Sequence, residues 1–278
     1  MSDSCNSRRI VISGGARGIG RALARHFLEQ GDRVFLIDVD EPELHHTVHS
    51  HLAKYYPKTL SSALCNLRDV DDIREKITGA AEYLGGSIDI LINNGGIASP
   101  QWKDNKTMLD PSTLTEWRAY VETNLTGPFA VSQAALPYMR CDAAADPRDP
   151  RHIANAGPCI ILVGSSRAHQ SDRNQEGYAA TKAGQLGLMH SMAVSCQPWG
   201  VRVNMVAPGR IKATHESREG DERGARWVDA LEVRDVEQHP ANRAGMPEDV
   251  AQAVEYLVGA GFVTAQEMVV DGGALMKK

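Results

Sequence analysis

Tyr178 and Lys182 stand four residues apart in GYAATKAGQLG, a stretch that suits a helix. An i, i+4 pair shares one helix face, so the ammonium can sit close to the phenol. A tyrosine ordinarily ionises near ~10 and is a poor acid or base at neutral pH. Lowering that value by ~3 units takes ~4 kcal/mol of extra phenolate stabilisation, which calls for a partly buried cation. A lone Y-x-x-x-K is more often a packing tyrosine beside a solvated lysine. Here Gly164-Ser165-Ser166 closes an apolar run, with Ser165 thirteen residues before Tyr178. A hydroxyl at that point can hold the oxygen that the tyrosine protonates, with Ser166 as the second candidate. The three residues point to proton transfer at a carbonyl or hydroxyl oxygen.

A second constellation lies near the start of the chain. Ser13-Gly14-Gly15-Ala16-Arg17-Gly18-Ile19-Gly20 joins the apolar run Ile10-Val11-Ile12 to a stretch in which Ile19, Leu23, Ala24, Phe27 and Leu28 share one helix face. Glycines allow positive φ and let a pyrophosphate approach the N–H groups that open a helix. The spacing Gly14, Gly18, Gly20 departs by one residue from G-x-G-x-x-G, but the strand-turn-helix context is the one that fingerprint requires. Asp38 ends the next apolar run, eighteen residues past Gly20. An acid there accepts hydrogen bonds from the adenosine ribose hydroxyls and repels a 2′-phosphate. Arg17 argues the other way, because a guanidinium beside the ribose holds a phosphate. The carboxylate has the more direct geometry, so NAD is expected ahead of NADP. The positive ring of an oxidised nicotinamide would then join Lys182 in stabilising the phenolate.

These residues need a scaffold. Short apolar runs recur at Ile10-Val11-Ile12, 34–37, 60–65, 88–92, 160–163, 201–206 and 268–270, and helical periodicity falls between them, as at Val250, Ala253, Val254 and Leu257. Runs apolar on both faces suit parallel strands, which need helical crossovers. The expected fold is α/β: a three-layer, doubly wound Rossmann domain over residues 1–278 with a seven-stranded, mostly parallel sheet. Two stretches interrupt the rhythm. Residues 141–158 read as a surface insertion, and the charged stretch 210–243 reads as a substrate loop or lid carrying one or two short helices.

Composition narrows the function classes. The 278 residues include 30 Lys and Arg against 35 Asp and Glu, a net charge of −5, which disfavours nucleic-acid binding. No apolar run approaches the ~18–20 residues that span a bilayer, and the first ten residues lack a secretory apolar stretch. Five scattered cysteines, Cys5, Cys65, Cys141, Cys159 and Cys196, form no disulfide or zinc framework. A cytoplasmic enzyme without a metal is expected. The four histidines of ELHHTVHSH (residues 43–51) read as a solvated helix face, and the mixed charges of 215–226 as solvated surface. Trp102, Trp227 and His190 are further candidates for substrate contact.

Taken together, the motifs resemble the short-chain dehydrogenase/reductase family along nearly the whole chain. They are SGGARGIG, NNGG at 93–96, Asn124 in ETNLTG, Ser165, YAATK at 178–182, APG at 207–209 and VDGG at 270–273. The resemblance implies an NAD(P)-dependent oxidoreductase interconverting a secondary alcohol and a ketone, with Tyr178 as general acid/base. It implies that Lys182 binds the nicotinamide ribose and lowers the tyrosine pKa, that Ser165 orients the substrate oxygen, and that Asn124 holds a water linking Lys182 to solvent. Gly14, Gly18, Ile19 and Gly20 would line the pyrophosphate, with Asn94 and Gly95 toward the adenosine. Asn66 and Leu67 would lie at the adenine, and Pro208, Gly209, Ile211 and Thr214 at the nicotinamide. The chain departs from the pattern at Ser13 (usually Thr), Gly95 (usually Ala) and Asn66 (commonly Asp). It departs again where Ala213 takes the usual hydroxyl position and Thr214 follows it. A homo-oligomer, tetramer or dimer, built through the helices holding Asn124 and Tyr178 is implied as well. The alternatives are a non-redox biosynthetic enzyme such as a cyclase or dehydratase, and a binding protein that senses NAD(H).

Overall fold

Side chains alternate across a strand, and the first strand of the computed structural model shows what that does here. In β1 (Arg9–Ser13), Ile10 and Ile12 enter one apolar cluster while Val11 enters a second on the opposite face. Both faces of the sheet are therefore covered, as parallel strands require. The structure describes residues 7–139 and 156–277; most of the expected 141–158 insertion, with Cys5 and Cys141, lies outside the described residues.

In chain order, β1 is followed by α1 (Gly18–Glu29), β2 (Arg33–Asp38), α2 (Glu41–His46), β3 (Leu60–Leu64), α3 (Val70–Tyr83) and β4 (Ile90–Asn93). Next come α4 (Thr113–Val121), α5 (Gly127–Ala135), β5 (Cys159–Val163), α6 (Glu176–Ser195) and β6 (Arg202–Pro208). Helices α7 (Arg218–Arg223), α8 (Val233–Gln238) and α9 (Pro247–Gly259) precede β7 (Glu267–Val270). The seven strands form one sheet in the order β3-β2-β1-β4-β5-β6-β7, every pairing parallel. Each of the seven runs read from the sequence is a strand, and the doubly wound Rossmann architecture is as expected.

Leu23 and Phe27 of α1 and Val250, Val254 and Leu257 of α9 fill the cluster on one face. Ile73 and Ile77 of α3, Val131 of α5 and Met189 of α6 fill the other. The strand order reverses between β1 and β4, and in such sheets the crevice beyond the strand ends at the reversal is where ligands bind. Between α4 and α5 the chain makes a π turn, Glu122–Thr126. Pro128, in the first turn of α5, has no N–H to offer the Asn124 carbonyl four residues back.

Candidate active site

The turn after β1 and the turn after β4 meet at the strand reversal. A Cβ on Gly14 would lie 2.5 Å from Gly95 Cα, and one on Gly20 would lie 1.9 Å from the Gly14 carbonyl oxygen. Gly14 and Gly18 have φ of +65° and +60°, the left-handed region that favours glycine. Asn94 Nδ2 donates to the Gly14 carbonyl at 2.8 Å, and the Gly95 N–H donates to Ser13 Oγ at 3.1 Å. Asn94 and Gly95 thus brace the glycine turn, and the hydroxyl kept at Ser13 is used. Helix α1 has no side-chain cap and no acid in its first turn, so its dipole is uncompensated by any carboxylate of its own, although the Gly18 N–H is taken by a backbone carbonyl.

Asp38 sits at the end of β2 beside that turn. Its Oδ2 accepts from the Ala16 N–H at 3.0 Å and its Oδ1 from the Val39 N–H at 2.7 Å, which fixes the carboxylate. Arg17 projects outward, its side chain 64% exposed and 3.8 Å from Asp40. Asn66 spends its amide oxygen on the Arg68 N–H at 3.1 Å, while Leu67 packs over Gly95.

At the ends of β5 and α6 the reacting candidates come together. Lys182 is buried, and its Nζ stands 5.6 Å from the Tyr178 ring centroid. That ammonium donates to the Val163 carbonyl at 2.9 Å and approaches Gln185 Oε1 at 3.4 Å. Burial lowers the Lys182 pKa to about 8. Burial also raises the Tyr178 pKa, opposed by the Ser165 hydroxyl at its oxygen and by the charge of Arg167. In the protein by itself Tyr178 is a protonated acid through the neutral range. Ser165 is buried, and its Oγ also accepts the Arg167 N–H at 3.1 Å. Behind the phenol, the Tyr120 ring lies edge-on at 6.4 Å and Trp102 meets Tyr120 edge-to-face in turn at 5.7 Å. Trp102 Nε1 donates to Glu176 at 2.8 Å, so this tryptophan braces the start of α6.

Asn124 is fully buried in the π turn. Its Oδ1 accepts the Ile97 N–H at 2.7 Å, and its backbone carbonyl accepts Gln185 Nε2. The resemblance implied that Asn124 holds a water toward Lys182; the structure shows the side chain of Gln185 bonded to the Asn124 carbonyl and approaching Lys182. Gln185 was not among the sequence candidates. The signal was available, because Tyr178, Lys182, Gln185 and Met189 follow one another by four, three and four residues, placing an amide in a buried stripe.

At the end of β6 Pro208 is buried; beyond it Gly209 and Ile211 are half-buried, while Thr214 lies exposed in a turn. Ala213 is the residue facing the glycine turn, its Cβ 3.9 Å from where a Gly18 side chain would begin. The one-residue shift in the sequence thus moves the hydroxyl off this turn. The stretch 210–243 does carry short helices, α7 and α8, and its first part is tied to α1. Gly18 N–H donates to the Glu216 carbonyl at 2.7 Å, and buried Arg21 bonds Glu216 at 2.7 Å and Asp221 at 2.6 Å. His46 and His51 converge on Asp221 at 2.8 and 3.2 Å, so half of the histidine cluster faces this carboxylate rather than solvent. No group of metal-binding side chains occurs among the described residues. Trp227 donates to the Gly245 carbonyl at 3.2 Å, and exposed His190 lies twelve residues, ~18 Å of helix, beyond Tyr178.

The chain matches, over residues 14–274, the family model described as enoyl-(acyl carrier protein) reductase. It is 31% identical over 270 residues to an uncharacterised oxidoreductase of Thermotoga maritima, covering 96% of this chain and 95% of that one. It is 33% identical over 273 residues to the L-rhamnose 1-dehydrogenase (NAD(P)(+)) of Azotobacter vinelandii, covering 96% of each. The solved 3-oxoacyl-(acyl-carrier protein) reductase with bound NAD from Brucella melitensis has a TM-score of 0.74 at 28% identity, over 97% of this chain and 92% of that one. The chain belongs to the short-chain dehydrogenase/reductase family and is an oxidoreductase. The family uses NAD(P). The residues present fit such a dinucleotide, since the α1 terminus is free of competing acid and Lys182 bonds two acceptors with three N–H groups. Among the described residues no helix is long and apolar enough to cross a membrane.

Proposed function

We propose that this enzyme interconverts a secondary alcohol and a ketone on a small molecule, using NAD in preference to NADP, with Tyr178 as the general acid/base. The observation that carries the reading is the convergence of Ser165, Tyr178 and Lys182 at the open end of β5, next to the strand reversal. A nicotinamide cofactor, when bound, would supply the hydride chemistry and, when oxidised, positive charge. The protein's own work is on the proton and the oxygen. Ser165 orients the substrate oxygen, Tyr178 gives or takes its proton, and Lys182 favours the phenolate and would hold the nicotinamide ribose through its remaining N–H. Gly14, Gly18, Ile19 and Gly20 would line the pyrophosphate at the α1 terminus. Pro208, Gly209 and Ile211 would hold the nicotinamide.

The preference for NAD rests on Asp38, which three backbone N–H groups hold in place, against an Arg17 that is directed to solvent. A 2′-phosphate beside that carboxylate is repelled. The exposed apolar side chains Trp117, Phe129 and Val194 on α4, α5 and α6 support a homo-oligomer built through those helices. Tyr178→Phe tests the reading. Turnover falls by about 10²–10⁴-fold, the range general acid–base catalysis covers, while NAD affinity stays within about threefold. A variant retaining near wild-type turnover would remove Tyr178 from the chemistry.

A further inference from the structure

We infer that Gln185 is a positioning residue for this reaction, its amide clamping the Lys182 ammonium to the Asn124 carbonyl. The inference rests on the proposed role of Tyr178 and Lys182 and adds a residue that acts through them.

The clamp begins with a freed carbonyl. Asn124 lies in a π turn, and the residue four positions on is Pro128, which has no N–H to donate. A buried carbonyl needs a partner, and Gln185 Nε2 supplies one from α6. The other end of the same amide, Oε1, faces the Lys182 ammonium at 3.4 Å, and Lys182 also donates to the Val163 carbonyl at 2.9 Å. The chemistry of the partners fixes which way the amide lies. An ammonium only donates and a carbonyl only accepts, so Oε1 must meet lysine and Nε2 must meet Asn124. A flipped amide would set two donors against each other and two acceptors against each other.

Both the glutamine and the lysine are more than nine-tenths buried, so solvent does not exchange for either bond. The clamp thus ties the charged end of α6 to the kink between α4 and α5 and to β5. It also supplies an acceptor that favours the charged lysine, which burial alone pushes toward neutrality. The titratable groups facing the neighbouring Tyr178 are Tyr120 on the packed helix α4 and Arg167 on the turn after β5, while Glu176 is turned to Trp102. None of these three reaches Lys182 with an acceptor, so the lysine depends on Gln185 and Val163.

The test is the pH profile of kcat/KM for alcohol oxidation in Gln185→Met and Gln185→Glu, with wild type and Tyr178→Phe alongside. Methionine fills the same volume and removes both bonds; glutamate keeps an acceptor for lysine but cancels its positive charge beside the phenol. Both changes move the ionisation that switches on oxidation upward by about one unit, so kcat/KM at pH 7 falls about tenfold. The KM for NAD stays within about twofold, because the loss is in kcat. A merely structural glutamine lowers the melting temperature and leaves the ionisation where it is in wild type; that result overturns the clamp. If Gln185→Met does not fold, the profile of Gln185→Glu decides alone. An inactive Tyr178→Phe beside unshifted Gln185 profiles rejects the clamp and leaves the function standing; an active Tyr178→Phe rejects both.

Discussion

Glu216→Ala is the sharpest probe of how the stretch after β6 is held to α1. Glu216 is buried and receives Arg21 Nε at 2.7 Å and Arg25 Nη1 at 2.9 Å. Arg21 is itself buried but keeps Asp221 at 2.6 Å and the His215 carbonyl at 3.0 Å when Glu216 is cut back. Breaking a buried pair by removing one partner costs ~3–5 kcal/mol, and the surviving partners place this case near ~3. For a chain of this size each kcal/mol is about 2–4 °C, so the melting temperature falls by about 6–12 °C in scanning calorimetry. Glu222→Ala, which cuts the exposed Arg218–Glu222 pair one turn away, leaves it unchanged and serves as the control. The sign with pH follows from the carboxylate. Burial would raise the Glu216 pKa, but Arg25 and Arg21 bring it below the usual value. The stabilisation is therefore complete above the ordinary carboxylate range of ~4.3 and is lost as the pH falls through the lower folded-state value. A drop of less than about 2 °C at pH 7, or a difference from wild type that persists unchanged in acid, would refute the reasoning.

Asp38→Ala, assayed with both cofactors, raises the NADP-to-NAD ratio of kcat/KM by about 10–100-fold, as removal of ~1.4–2.7 kcal/mol of repulsion predicts; an unchanged ratio places the ribose elsewhere. Gly20→Ala puts a Cβ 1.9 Å from the Gly14 carbonyl oxygen and forces the turn to shift. Isothermal titration then shows NAD binding weakened about tenfold or more.

The sheet was legible because each strand is an apolar run that fills two clusters at once, as Ile10, Val11 and Ile12 do. Tyr178, Lys182 and Ser165 were legible for a local reason, a single helical turn and the strand before it. The Arg21–Glu216 bond joins residues 195 positions apart, and composition does not distinguish charges buried in pairs from charges in water. The histidines failed for a geometric reason. His46 and His51 are five residues apart, which an α-helix turns to different sides, but a π turn over Thr47–His51 brings both onto Asp221. Gln185 went unread because its partner carbonyl is released by a proline on another helix. Thr214 shows a one-residue shift with a structural outcome, since Ala213 takes the position over Gly18.

In the proposed mechanism Tyr178 becomes a ready proton carrier when a positive nicotinamide ring joins Lys182 beside it. The direct measurement is an ultraviolet phenolate titration of wild type minus Tyr178→Phe, which isolates one of the seven tyrosines, with and without saturating NAD⁺. Without NAD⁺ the isolated phenol ionises above the ordinary ~10, as its burial dictates. With NAD⁺ bound it ionises below that value. An ionisation that stays in place when NAD⁺ saturates the protein contradicts the account.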